Sequence, residues 1–118
     1  MTLESPATPA SEPDGAGVCS GLKVVDLSWG MAGPMAGMAL ADFGAGVVKI
    51  EPPGGDRFRR MPGAVQWDRG KRSLALDLKD IGQREEARRL CASADVVIES
   101  FRPGVAARLG VGYDDLKQ

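Results

Sequence analysis

The sequence predicts an α/β domain built on a parallel sheet with flanking helices, and three observations carry that expectation. Four short runs rich in Val, Ile and Leu have the length of strands. Helical segments lie among them, so strands and helices alternate along the chain. The first strand, a glycine turn, a helix and the second strand follow one another within about 30 residues, the βαβ unit, whose right-handed crossover makes the strands parallel.

The elements follow in order. Residues 1–20 are rich in Pro, Ser, Thr, Gly and Ala and have no apolar period, so a disordered tail is expected there and a domain over 21–118. Leu22 to Ser28, LKVVDLS, reads as a strand buried on both faces. From Trp29 to Gly46 the chain turns and enters a helix. Pro34 fits its first turn, Met35, Met38, Ala39, Leu40 and Phe43 make it almost wholly apolar, and Gly44 fits its C-terminal cap. The small residues Ala36, Gly37, Ala39 and Ala41 predict close packing on the sheet. Gly46 to Glu51, GVVKIE, is the second strand, ended by Pro52.

Pro52 to Arg72 has no period and exceeds an ordinary loop, which predicts a functional loop or a partner-bound arm. Ser73 to Leu78, SLALDL, alternates and reads as a strand with one less-buried face. Asp80 fits the N-cap of a helix whose Ala87, Leu90, Cys91 and Ala94 share one face. Glu85 and Arg89 are spaced to pair on the other side, and Cys91 reads as a buried, inert thiol. Asp95 to Ser100, DVVIES, is the fourth strand. Val105 to Gly110 is a short helix stopped by Gly110. The helical start of GYDDLKQ with nothing after it predicts a truncated protein.

Composition narrows the function. The chain has 118 residues, 15 Lys and Arg against 16 Asp and Glu, and a formal net charge of -1. That balance argues against a dedicated nucleic-acid binder. An apolar fraction of 43% supports one modest core. With no His, a His-ligated metal site, a Ser-His or Cys-His nucleophile and a His base are all excluded within this chain. Cys19 and Cys91 are too few for a disulfide scaffold. No signal peptide and no run of roughly 18 apolar residues is present, so no membrane partner and a cytoplasmic location are expected.

Three stretches have residue types suited to a ligand. The turn Trp29-Gly30-Met31-Ala32-Gly33-Pro34 follows a strand and opens a helix, where free N–H groups favour an anion; a plain tight turn is the other reading. Its spacing is not G-x-G-x-x-G, so the dinucleotide fingerprint is not matched. Glu51 nonetheless ends the second strand roughly where a ribose-binding acid would sit. The loop after it holds Arg57, Arg59, Arg60, Arg69, Lys71 and Arg72 against Asp56 and Asp68. A solvated charge cluster, a phosphate site and salt bridges to another subunit all suit that pattern. Trp67 beside it either stacks on a base or anchors the loop. Phe101-Arg102-Pro103-Gly104 leaves the fourth strand at the edge where open α/β sheets bind ligands. Phe101 and Arg108 read as an adenine cover and a phosphate contact, or as a core Phe and a surface Arg. None of Asp26, Asp42, Asp77 and Asp95 has a spacing that compels acid–base work.

Several segments together resemble the family III CoA-transferases of the CaiB/BaiF type, which include formyl-CoA transferase, carnitine CoA-transferase and alpha-methylacyl-CoA racemase. They are GLKVVDLS at 21–28, AGP at 32–34, LADFGAGVVKIEPPGGD at 40–56, RGKRSLALDLK at 69–79 and ADVVIESFRPGVAARLGVGYDDL at 94–116. RGKRSLALDLK alone closely resembles the racemase branch.

The resemblance implies the N-terminal part of a Rossmann-like domain that binds coenzyme A or acyl-CoA without a metal. It also implies interlocked homodimers and transfer of CoA to a carboxylate acceptor. CoA contacts then map onto Met31, Ala32, Gly33 and Pro34, onto Leu76 and Lys79, onto Ser100 and Phe101, and onto Arg108. The turn would supply backbone donors, Lys79 and Arg108 positive charge, Phe101 a flat apolar surface and Leu76 a backbone edge for adenine. Two positions depart from the family. Ser100 stands where Asn is common, and Met31 stands where many transferases carry a polar residue, which favours an apolar acyl-CoA or a racemase-like site. The family's catalytic Asp falls beyond this chain, so no residue here is assigned catalysis and the chain alone is expected to be inactive. The alternatives are a racemase using the same CoA site and a non-catalytic CoA- or nucleotide-binding module.

Overall fold

The computed structural model describes residues 17–117. Residues 1–16 of the expected tail lie outside the described residues. The chain runs β1 (Lys23–Asp26), α1 (Ala32–Asp42), β2 (Gly46–Glu51), α2 (Ala64–Trp67), β3 (Arg72–Ala75), α3 (Ile81–Ala92), β4 (Val96–Ile98), α4 (Val105–Arg108) and α5 (Tyr113–Leu116).

The strands pair in the order β3-β2-β1-β4, all parallel. The α/β class and the parallel sheet are therefore as the alternation of apolar runs predicts. β1 is central, with Val24 between Val47 and Val96. Its successive residues face opposite sides. Val24 joins Ala45 and Val47 under Leu40 and Ala41 of α1. Val25 and Leu27 join Ile50, Leu76 and, from α3, Ala87 and Cys91. Helices thus cover both faces, which is why Val24, Val25 and Leu27 are all buried although they point to opposite sides.

Local chemistry explains the boundaries. β1 ends at Asp26, yet the Leu27 N–H still reaches the Ile98 carbonyl at 2.8 Å. In α1, Pro34 sits in the first turn, Phe43 is the C-cap and Gly44 follows at φ 102°. The helix lies close to the sheet through Pro34 and Gly37, while Met35 and Phe43 face outward. A Cβ on Gly37 would lie 3.0 Å from Asp26 Oδ2 and 3.1 Å from Lys71 Nζ, so a glycine permits that approach. Residues 17–20, the end of the expected tail, form a turn in which the Cys19 N–H donates to the Phe43 carbonyl at 2.9 Å.

Asp80 caps α3, its Oδ1 accepting the Gln83 N–H at 2.9 Å. Ala87 and Cys91 are buried, and burial pushes the Cys91 thiol up to about 11. The expected Glu85–Arg89 pair is corrected: Arg88 lies 3.5 Å from Glu85 instead. Neighbours at i+3 and i+4 are equally near on a helix, and Arg89 occupies the last turn, where a cation complements the helix dipole. Among the described residues no helix is long and apolar enough to cross a membrane.

Candidate functional site

The strand order reverses between β1 and β4, and the chain leaves these neighbours towards opposite faces of the sheet. α1 packs on the Val24 side, whereas Ala106 of α4 and Leu109 beside it pack on the Val25 side. Such a divergence opens a crevice at the C-terminal edge of the strands. Here it forms a cleft of about 740 Å³. Leu27, Ile50, Leu76, Phe101, Val105, Leu109 and Trp29 line it. Arg57, Lys79 and Arg102 also line it, beside Lys49 and the carboxylates Glu51, Asp56 and Asp77. An apolar slot carrying a few cations suits a ligand that joins a flat ring to phosphates.

Of the CoA contacts that the resemblance implies, Leu76, Lys79 and Phe101 line this cleft together, and Trp29, Glu51, Arg57 and Arg102 join them from the stretches suited to a ligand. The Leu76 N–H is donated to the Glu51 carbonyl at 2.9 Å. The Lys79 backbone is held by Asp77, whose Oδ1 accepts its N–H at 2.9 Å, while the residue itself is exposed. Ser100 borders the cleft, its hydroxyl accepting the Trp29 N–H at 3.1 Å. Met31, Ala32, Gly33, Pro34 and Arg108 are not among the lining residues. Gly33 packs so tightly on Ser28, which does line the cleft, that a Cβ there would overlap the serine side chain. Met31 is exposed at the start of α1, and Arg108 is exposed between the lining residues Val105 and Leu109.

Three of the six cations of the basic loop, Arg59, Arg69 and Lys71, are neutralised. Lys71 is neither a solvated cation nor free for phosphate. Its side chain is 2% exposed, with Nζ 2.8 Å from Asp26 Oδ2, 2.7 Å from the Pro34 carbonyl and 3.4 Å from Asp68. Lys49, the strand partner of Asp26, lies 3.0 Å from Asp68 and 3.2 Å from Asp56. Burial alone would lower the Lys49 pKa, but its bond to Asp68 and the charges of Asp68, Asp56 and Asp26 hold it above the ordinary value. Arg59 pairs with Glu51 at 2.9 Å, and Ser73 donates to the same carboxylate at 3.0 Å, so Glu51 is engaged from two sides. Arg69 meets Asp42 at 2.6 Å, and the pairing pulls the Asp42 pKa down. Trp67 is buried and set against Gly63, which makes it the loop's anchor. Asp26 has a structural role: its Oδ1 accepts the Ser28 N–H at 2.9 Å and the Ser28 hydroxyl, while Oδ2 takes Lys71.

Comparison with known proteins places this architecture. The family profile of CoA-transferase family III matches residues 19–118. The chain belongs to that family. Over 120 residues this family III chain is 40% identical to the probable fatty acyl-CoA transferase Rv3272 of Mycobacterium tuberculosis, across 92% of this chain and 30% of that protein. It is 46% identical over 103 residues to the mouse alpha-methylacyl-CoA racemase, across 86% of this chain and 25% of the racemase. The crystal structure of Rv3272 superposes with a TM-score of 0.81 at 42% identity, over 86% of this chain and 29% of that one. The family III chain thus spans about 30% of the length of Rv3272.

Several cleft residues were not legible as ligand positions. Val105 and Leu109 share a face by their i, i+4 spacing, which the sequence does display. Trp29 and Arg57 stood in stretches suited to a ligand, but no local mark separates them from the other residues of those stretches. Only the carboxylates around Arg59, Arg69 and Lys71 reveal which cations are already taken.

Proposed function

We propose that this chain is the CoA-binding portion of an acyl-CoA:carboxylate CoA-transferase whose covalent aspartate lies outside these 118 residues. The cleft where the strand order reverses carries this reading, because Leu76, Lys79 and Phe101 line it together in a family III chain. Phe101 covers the adenine, Leu76 presents its carbonyl to the ring, and Lys79 neutralises phosphate. Ser100, the Met31–Pro34 turn and Arg108 extend the contact beyond the cleft. An interlocked homodimer in the cytoplasm completes the reading, and the outward Met31, Met35 and Phe43 of α1 are a surface for such a partner.

In this chemistry the aspartate attacks the acyl thioester, the C–S bond breaks and CoA leaves as the thiolate. The thiolate then attacks the aspartyl carbonyl of the mixed anhydride, releasing the donor carboxylate and leaving CoA as an enzyme thioester. The acceptor carboxylate attacks that thioester, and the returning thiolate takes the new acyl group. Backbone N–H groups stabilise each oxyanion.

A second reading is an acyl-CoA racemase, in which an acid–base pair outside this chain exchanges the α proton. The 46% identity to the mouse racemase and the apolar Met31 favour it. Calorimetric titration of the chain with CoA, dephospho-CoA and NAD tests the shared CoA site. CoA should bind best and lose affinity without its 3′-phosphate; preference for NAD overturns the assignment. Acyl-CoA exchange catalysed by the chain alone would place the catalytic group within it and refute the outside aspartate.

A further inference from the structure

Arg57 differs from the paired cations of its loop. Arg59, Arg69 and Lys71 each end on a carboxylate, but among the described residues Arg57 has no ion-pair partner. Its guanidinium instead lies 3.9 Å from the ring centroid of Trp29 and 5.1 Å from that of Phe58. Stacking engages the face of the guanidinium and leaves its in-plane N–H fork able to donate. The supports beneath are themselves fixed. The Trp29 N–H donates to Ser100 Oγ at 3.1 Å. Asp56 Oδ1 accepts the Phe58 N–H at 2.8 Å, and its Oδ2 lies 3.2 Å from the buried Lys49. Arg57 and Trp29 both line the 740 Å³ cleft with Lys79.

We infer that Arg57 is a phosphate-binding residue of this cleft, held on the face of Trp29 to grip a phosphate of the CoA nucleotide. A planar, unpaired and preorganised guanidinium matches the bidentate geometry of a phosphate better than an ammonium does. The paired arginines of the same loop would have to surrender a carboxylate first. The inference rests on the CoA reading of the cleft. The 3′-phosphate and the pyrophosphate offer the same chemistry, and dephospho-CoA separates them.

The test titrates the 118-residue chain and its Arg57→Gln and Arg57→Lys variants with CoA and with dephospho-CoA, with thermal melting as the check on folding. Both variants should melt with the parent, because Arg57 is exposed and makes no ion pair among the described residues. Arg57→Gln should weaken CoA binding about 10- to 100-fold, the scale of a hydrogen bond to a charged group. A loss confined to CoA assigns Arg57 to the 3′-phosphate; an equal loss with both ligands assigns it to the pyrophosphate. Arg57→Lys should recover only part of the affinity, and full recovery would refute the stacked fork. Unchanged CoA affinity in Arg57→Gln overturns the inference while the CoA site stands. A parent chain that binds no CoA overturns the site itself.

Discussion

Two regions of this molecule are rich in basic residues, and they do opposite things with them. Under the Pro52–Lys71 loop, Lys49 and Lys71 are buried against Asp26, Asp56 and Asp68, and Arg59 and Arg69 are tied to Glu51 and Asp42. Along the cleft, Arg57, Lys79 and Arg102 line the surface with no ion-pair partner among the described residues. The first set holds the loop on the sheet. The second is free to meet a polyanion. Basic composition is thus no measure of anion binding; what counts is whether a carboxylate has already claimed the charge.

Breaking the buried set should have the largest effect. Lys71→Met leaves Asp26 buried and uncompensated, and urea unfolding should show a loss of about 3–5 kcal/mol. A variant as stable as the parent would refute the role given to this pair. Gly33→Ala comes next, since the new methyl overlaps the Ser28 side chain. Overpacking of that kind costs about 1–3 kcal/mol, and the same denaturation curve reads it. The contrast itself is sharpened by a matched pair of surface changes. Lys79→Ala should weaken CoA binding about tenfold without moving the melting temperature, whereas Arg69→Ala should leave CoA binding as it was. Equal effects of the two on CoA would erase the distinction between free and paired cations. The smallest effect lies in alkali. Lys49 has its folded pKa raised above 10.5, so its contribution to stability is complete below that pH and disappears as pH climbs through the folded value. Denaturant midpoints measured on either side of pH 10.5 should fall only on the alkaline side.

Much of the fold was legible because its signals are local. A β-branched run needs no distant partner to read as a strand, and Asp80 caps α3 with an oxygen three residues from the N–H it accepts. Part of the cleft was within reach too: Phe101 follows the fourth strand, at the edge where a parallel sheet gathers its strand ends, whereas Leu76 and Lys79 came from the family resemblance. The contact of Arg57 with Trp29 was not, because it joins residues from two different connections. The Lys71–Asp26 pair was equally hidden: 45 positions separate partners that meet at 2.8 Å. The side of α1 that meets the sheet was undecided for another reason. A helix apolar nearly all round offers no polar face to mark its outside, and the choice fell to Gly37, which admits the ion pair beneath it.

By itself the sequence determined the alternation of strands and helices, the caps and turns, the parallel sheet and the family to which the segments are similar. These depend on propensity and period, which act over a few residues. The tertiary structure alone decided which cations are buried, which remain open to a ligand and which arginine rests on Trp29. Those outcomes depend on Coulomb attraction and desolvation, which act through space between groups that the chain order keeps apart.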